Sequence, residues 1–312
     1  MDFLELLKNY YWKNRISATT INYIRNYKKT ELDTFKGLYL DKKSKYFTSN
    51  NDPFKFKSKI VDNNFYSIYS ILETLNYDTN LVYAEHGLFL GNYFQGKLKN
   101  SWIKEVVTFS SFRKKIIESN GLIANPIGPY IHYVDSYATK IVEEDYILVI
   151  LKHSGTNQNM TTNQIFEEHI LDIQRNYGKK VILQLHPNDI SLTKNFSSEV
   201  FWTSCGFKRD PDFLLRQKSL IRDADIIITD FIGTHLGYCE YLNKEVIRID
   251  SIFDTQFKVA NKNDAYELKL SQSDFKKSQI DLIEKNMPLG EIAQSSKYKN
   301  IIEELWGFEY LK

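Results

Sequence analysis

Residues 224–240 read Ala-Asp-Ile-Ile-Ile-Thr-Asp-Phe-Ile-Gly-Thr-His-Leu-Gly-Tyr-Cys-Glu, and their reading decides the fold. Ile226 to Ile228 form an uncharged β-branched run, the pattern of a strand buried on both faces of a parallel sheet. Thr229 and Asp230 stand where such a strand ends. Gly233-Thr234 then opens a helix-period segment, with Leu236, Cys239 and Leu242 on one side, that leads to a second apolar strand from Val246 to Ile249. Strand, polar turn, helix and strand make a βαβ unit. Its turn lies at the carboxyl end of the strands, where open α/β sheets bind ligands. A helix start with unpaired N–H groups beside small hydroxyl side chains suits a phosphate.

The same alternation extends outward in both directions. Tyr146-Ile-Leu-Val-Ile-Leu predicts a buried strand, and Val181 to Leu185 another, with a helix between them over Ile165 to Ile173 capped by Thr161 or Thr162. A helix from Asp212 leads into the 226–228 strand, and residues 275–286 and 291–305 read as two closing helices. Upstream, residues 65–76 have a helix period, and strands are expected at 80–84 and 106–110. A helix then starts at Ser111 and stops at Asn120-Gly121, and an extended run covers 122–126. The first 50 residues carry helical spacing at Phe3, Leu6, Leu7, Tyr10 and Tyr11, with a short strand near Gly37. Residues 133–145 lack a period and read as a connection. The expectation is an α/β chain of two Rossmann-like domains facing a cleft, residues 1–140 and 141–312.

Composition narrows the class. A chain of 312 residues with a formal charge of +2 is long enough for two domains and lacks the basic excess of a nucleic-acid groove. Two cysteines, Cys205 and Cys239, supply neither a disulfide framework nor a metal quartet. No apolar run reaches the ~20 residues of a membrane span, and the start lacks the basic residue of a signal peptide. A cytoplasmic protein is expected, with peripheral attachment at the inner membrane face left open.

Four loops at strand ends carry residues of catalytic type. Glu85-His86-Gly87 places a carboxylate and an imidazole, the pair for a general base, beside a glycine that permits close backbone approach. His153-Ser154-Gly155-Thr156 offers hydroxyl and N–H donors, but without the Gly-Lys-Ser/Thr of a P-loop. His186-Pro187 leaves an imidazole at the sheet rim, where proline ends pairing. Thr229, Asp230, Gly233, Thr234 and His235 complete the set, Asp230 orienting its turn and His235 lining the site. Asp210-Pro211-Asp212 reads as a helix N-terminus and Cys239 as core.

These landmarks resemble those of bacterial transferases that build surface polymers from cytidine-nucleotide-activated donors. Ala224-Asp-Ile-Ile-Ile-Thr-Asp-Phe-Ile-Gly-Thr resembles the Ala-Asp-x-x-Ile-Thr-Asp-Tyr-Ser-Ser of the CDP-glycerol glycerophosphotransferases. His186-Pro187 is similar to the His-Pro of bacterial sialyltransferases and capsule Kdo transferases, which contacts the CMP moiety. The resemblance spans residues 80–250 and implies a GT-B-type fold. Gly233-Thr234 departs from it where Ser-Ser is usual, and so does Glu85 where an apolar or aromatic residue is usual.

By that resemblance the chain is a glycosyltransferase of capsule or lipopolysaccharide biosynthesis. Glu85 or His86 would deprotonate a glycan or lipid-linked acceptor. His186, Ser154, Thr229, Thr234 and the helix start at 233–235 would hold the departing nucleotide phosphate of a CMP-activated acidic sugar. No cofactor and no metal are expected. Asp223-Ala224-Asp225, formally like the metal-binding Asp-x-Asp of another glycosyltransferase class, precedes its strand and so falls on the wrong side of the sheet. Two alternatives stand beside this reading: a CDP-glycerol-type polyol-phosphate transferase, and a non-catalytic nucleotide-sugar-binding protein.

Overall fold

The computed structural model describes residues 66–78, 82–94, 105–140, 142–154, 158–162, 166–187, 189–206, 210–257 and 273–311. The expected N-terminal helix and the strand near Gly37 lie outside these residues, as do Gly155 and Thr156. Among the described residues no helix is long and apolar enough to cross a membrane.

Two parallel sheets organise the chain. The first holds β1 (Val82–Ala84), β2 (Glu105–Thr108) and β3 (Ile123–Pro126) in that order. Helix α1 (Ile68–Thr74) precedes it, and α2 (Ser111–Glu118) connects β2 to β3. The second sheet contains β4 (Tyr146–Ile150), β6 (Lys180–Gln184), β7 (Phe201–Thr203), β8 (Ile226–Thr229) and β9 (Glu245–Arg248). Its spatial order is β7-β6-β4-β8-β9, parallel throughout. The chain runs outward from β4 through β6 to β7, then returns across β4 to lay down β8 and β9. That reversal leaves a crevice beyond the carboxyl ends of β4 and β8, where doubly wound sheets bind ligands. The architecture is α/β, built on two parallel, Rossmann-like sheets.

Burial explains the order. Every residue of central β4 is buried, as are Ile227 and Ile228 of β8 beside it. Each such side chain contributes roughly 1.5–3 kcal/mol by leaving water. An aspartate at Val149 would bring an unpaired charge into this layer and break it. Helices α3 (Phe166–Tyr177), α4 (Phe213–Asp223) and α5 (His235–Tyr241) make the crossovers. Asp212 is the N-cap of α4, and its own amide donates to the Asp210 carboxylate at 3.0 Å, so the Asp-Pro-Asp run serves as a helix start. Asp223-Ala224-Asp225 is the turn from α4 into β8, and Cys239 is buried.

Three strands depart from expectation. Thr161 and Thr162 do not cap α3; they belong to β5 (Gln158–Thr162), which pairs antiparallel with β10 (Phe253–Phe257). The polar sequence Gln-Asn-Met-Thr-Thr has no alternation of its own, and its partner lies far along the chain. β7, three residues at a sheet edge around Trp202, reads as a loop for the same reason of brevity.

Helix α6 (Asp274–Lys285) and helix α7 (Ser296–Trp306) close the structure. Ser295 caps α7 by accepting the Tyr298 amide at 3.1 Å. Gly307 ends it with φ 74°, a left-handed conformation that favours glycine, and a Cβ there would collide with the Phe109 carbonyl. Helix α7 packs on both α5 and α2, so the C-terminal helix braces the second sheet against the first. Ser111 donates to Glu309 at 2.6 Å on the same seam.

Candidate functional site

A cavity of about 320 Å³ opens at the crevice between the sheets, within the range of small-molecule sites. His86 and Gly87 enter it from the end of β1. His153 comes from the loop after β4, His186-Pro187 from the loop after β6, and Thr234-His235 from the start of α5. The sequence-expected loops therefore meet at one place. A second hollow of about 130 Å³ lies beside it, and His86 and Gly87 line both.

His86 stacks on Tyr66, ring centroids 5.9 Å apart and planes within 12°. Tyr66 in turn meets Phe213 edge to face at 4.9 Å. Tyr66 and Ser67 both have left-handed φ values, 50° and 62°, which costs a non-glycine residue about 1 kcal/mol or more. Ser67 Oγ repays part of this by accepting the Leu214 amide at 3.1 Å. The strained pair holds the aromatic ring under His86.

Glu85 does not face the main cavity. Its Oε1 pairs with Arg113 Nη2 at 2.5 Å, and its Oε2 accepts from Arg113 Nε at 3.1 Å and from Thr108 Oγ1 at 2.5 Å. Arg113 is wholly buried and also donates to the Gly91 carbonyl at 2.7 Å. Both carboxylate oxygens are thus engaged in a bidentate pair that fixes the β1 loop. Glu85 and Arg113 line the second hollow, with the carboxylate held by Arg113 and Thr108, whereas His86 lines both spaces.

The rings of His153 and His186 stack at 4.5 Å, planes within 17°. Asp189, also in the loop after β6, is buried, and its Oδ2 accepts the Ser154 amide at 2.9 Å. Burial raises the Asp189 carboxyl above its ordinary value, against the Ser154 hydrogen bonds and the nearby His153. Ser154 itself is buried and does not line the cavity.

The turn after β8 is organised inward. Thr229 Oγ1 is bonded to His235 Nε2 at 3.0 Å, and Asp230 accepts from the Lys152 amide at 2.7 Å and from Ser251 at 3.1 Å. Burial raises the Asp230 carboxyl and lowers the His235 imidazole to about 3, so His235 is neutral. Thr234 Oγ1 accepts the Leu88 amide at 2.9 Å, and Gly233 lies against the Phe231 and His235 rings. Thr229, Asp230 and Gly233 accordingly shape the turn and do not line the cavity. Helix α5 spans 7 residues, too short to add a strong dipole.

Sequence reasoning missed several wall residues. Gln184 lines the cavity with its side-chain oxygen buried and lacking a hydrogen-bond partner among the described residues. Such an acceptor suits a ligand donor or a water. It ends β6 next to His186, and a polar residue closing an apolar strand was the available signal. Tyr66 and Gln217 in the wall, and Asp189 outside it, had none, since their placement depends on contacts across the fold.

No protein-family model matches the sequence, and no curated protein matches it. Among solved structures, the chain is similar to UDP-GlcNAc 2-epimerase from Methanocaldococcus jannaschii in complex with UDP-GlcNAc and UDP. The identity is 16%, the match covers 47% of this chain and 46% of that chain, and the TM-score is 0.33. Another structure of the same enzyme matches with the same identity and coverage at a TM-score of 0.29. The chain therefore spans less than half the length of these relatives.

Proposed function

We propose that the chain is a glycosyltransferase that moves a sugar from a nucleotide-activated donor, in the first instance a CMP-activated acidic sugar, to a glycan or lipid-linked hydroxyl. Such a reaction belongs to capsule or lipopolysaccharide synthesis. One observation carries the reading: His86 from the first unit and His153 and His186 from the second border one cavity, and His86 also borders the adjoining hollow. The larger cavity takes the nucleotide and the smaller one the acceptor. His86 between them removes the acceptor proton as the oxygen attacks the anomeric carbon. The electron pair of the broken bond leaves with the phosphate, which His153 and His186 face. The Gln184 oxygen, an unpartnered acceptor in the wall, suits the amino group of a cytosine. Glu85 orients His86 through its hold on the β1 loop.

Titration of the full chain with CMP, CDP and UDP, followed by tryptophan fluorescence, tests the donor class. CMP is expected to bind at least tenfold tighter than UDP. Mass analysis of products formed from a CMP-sugar or from CDP-glycerol, with a glycan acceptor, then identifies the group moved. Glycerol phosphate transfer would replace the sugar reading with the polyol-phosphate one. Tight nucleotide binding with neither product would leave a nucleotide-sugar-binding protein.

A further inference from the structure

We propose that His153, His186 and Asp189 bind one divalent transition-metal ion at the rim of the cavity. One ligand atom from each lies within 4.8 Å of the others, which is unique to this trio among the described residues. A zinc-type ion with bonds of ~2.0–2.1 Å would draw them to roughly 3.3 Å apart. Closing that gap requires the exposed His153 ring to turn out of its stack on His186, towards a buried Asp189.

The strongest argument is the role of Ser154. Its carbonyl receives His153 Nδ1 at 2.9 Å, and since a carbonyl only accepts, Nδ1 carries the proton. In the neutral ring Nε2 then bears the lone pair. The amide of the same residue holds Asp189 Oδ2 at 2.9 Å. One peptide segment thus orients two of the three ligands, which is how outer contacts prepare metal sites. Two imidazoles and a carboxylate select a zinc, cobalt, manganese or iron type of ion over magnesium or calcium, which prefer oxygen.

Charge gives the ion a task. The rim carries two stacked imidazoles and one carboxylate. A divalent ion makes it net positive and leaves a coordination position for a phosphate oxygen. That task rests on the nucleotide reading above, whereas the binding of the ion does not. A metal ion here departs from the sequence-based expectation that none is bound, which weighed Asp223-Ala224-Asp225 at the amino end of β8 and not this trio.

The test is titration of the chelator-stripped full chain with Co²⁺, read by its visible d–d absorption. One equivalent is expected, with bands of a four- or five-coordinate ion. His153→Ala and Asp189→Asn are each expected to weaken binding at least tenfold. His153 is exposed, so its variant reports on ligation without a folding penalty, whereas buried Asp189 requires a circular dichroism control. Absence of saturable Co²⁺ binding, or binding unaffected by His153→Ala, overturns the proposal. CMP affinity measured with and without Co²⁺ separates the two readings. Co²⁺ bound through His153 while CMP fails to bind in either condition upholds the metal site and removes the nucleotide.

Discussion

The Thr234 hydroxyl accepts the Leu88 amide at 2.9 Å, tying the loop after β1 to the start of α5. A Cβ on Gly87 would sit 3.0 Å from the same oxygen, so the two units are in close contact here. Trp306 Nε1 donates to the Thr234 carbonyl at 2.9 Å from below. Thr234→Val keeps the shape but leaves the part-buried Leu88 N–H without its acceptor, a loss of about 1 kcal/mol. Thr234→Ser should restore most of it. Urea unfolding of the three proteins checks this, and equal midpoints for Val and Ser would show that the bond holds nothing.

The Glu85–Arg113 pair is buried, side chains 9% and 0% exposed. Removing one member leaves the other charge unmatched, at a cost of ~3–5 kcal/mol. Glu85→Gln and Arg113→Met should therefore lower thermal stability by many degrees, with any loss of activity following from it. A Glu85→Gln protein as stable as the parent but inactive would return the base to Glu85.

How far the sequence reveals this site depends on whether a residue's job is set locally. The Ile226–Thr229 and Tyr146–Ile150 strands were legible because a strand buried on both faces must be apolar throughout, and their carboxyl ends marked the crevice. The loop of His153 follows from that alone, and those of His86 and His186 from the same reading of the strands before them. What Glu85 does was not legible. Its partner Arg113 is 28 residues away, and no pattern distinguishes a structural carboxylate from a catalytic one. Thr229 and Thr234 look alike as hydroxyl donors in sequence. One is turned inward to His235 and the other across to Leu88, choices made by packing.

His86 and His186 should separate in kinetics. His86→Ala is expected to lower turnover by 10²-fold or more, the usual weight of a general base, while CMP affinity changes less than about threefold. His186→Ala should weaken CMP at least tenfold by direct titration. The Tyr66 ring under His86 adds a graded test: Tyr66→Leu removes the stack at 5.9 Å and should reduce turnover less than His86→Ala does. Identical effects of His86→Ala and His186→Ala on CMP affinity would mean that the two imidazoles share one role.

His235 makes stability depend on pH with a definite sign. Its imidazole falls from an ordinary 6.5 to about 3 on folding, because burial disfavours the charged ring. Between those values the unfolded chain binds a proton that the folded chain refuses, so stability falls as pH drops below about 6.5. At ~1.4 kcal/mol per unit, the loss between pH 7 and 5 is about 2 kcal/mol. Asp189 and Asp230, whose burial raises their carboxyls, act with the opposite sign over a lower window. The contribution of His235 is therefore read by difference. His235→Gln retains a donor for the Thr229 hydroxyl but cannot titrate. Its urea midpoint should vary less between pH 7 and 5 than that of the parent, by about 2 kcal/mol in unfolding free energy. Parallel curves for the two proteins would mean that His235 is solvated and charges freely in the folded protein.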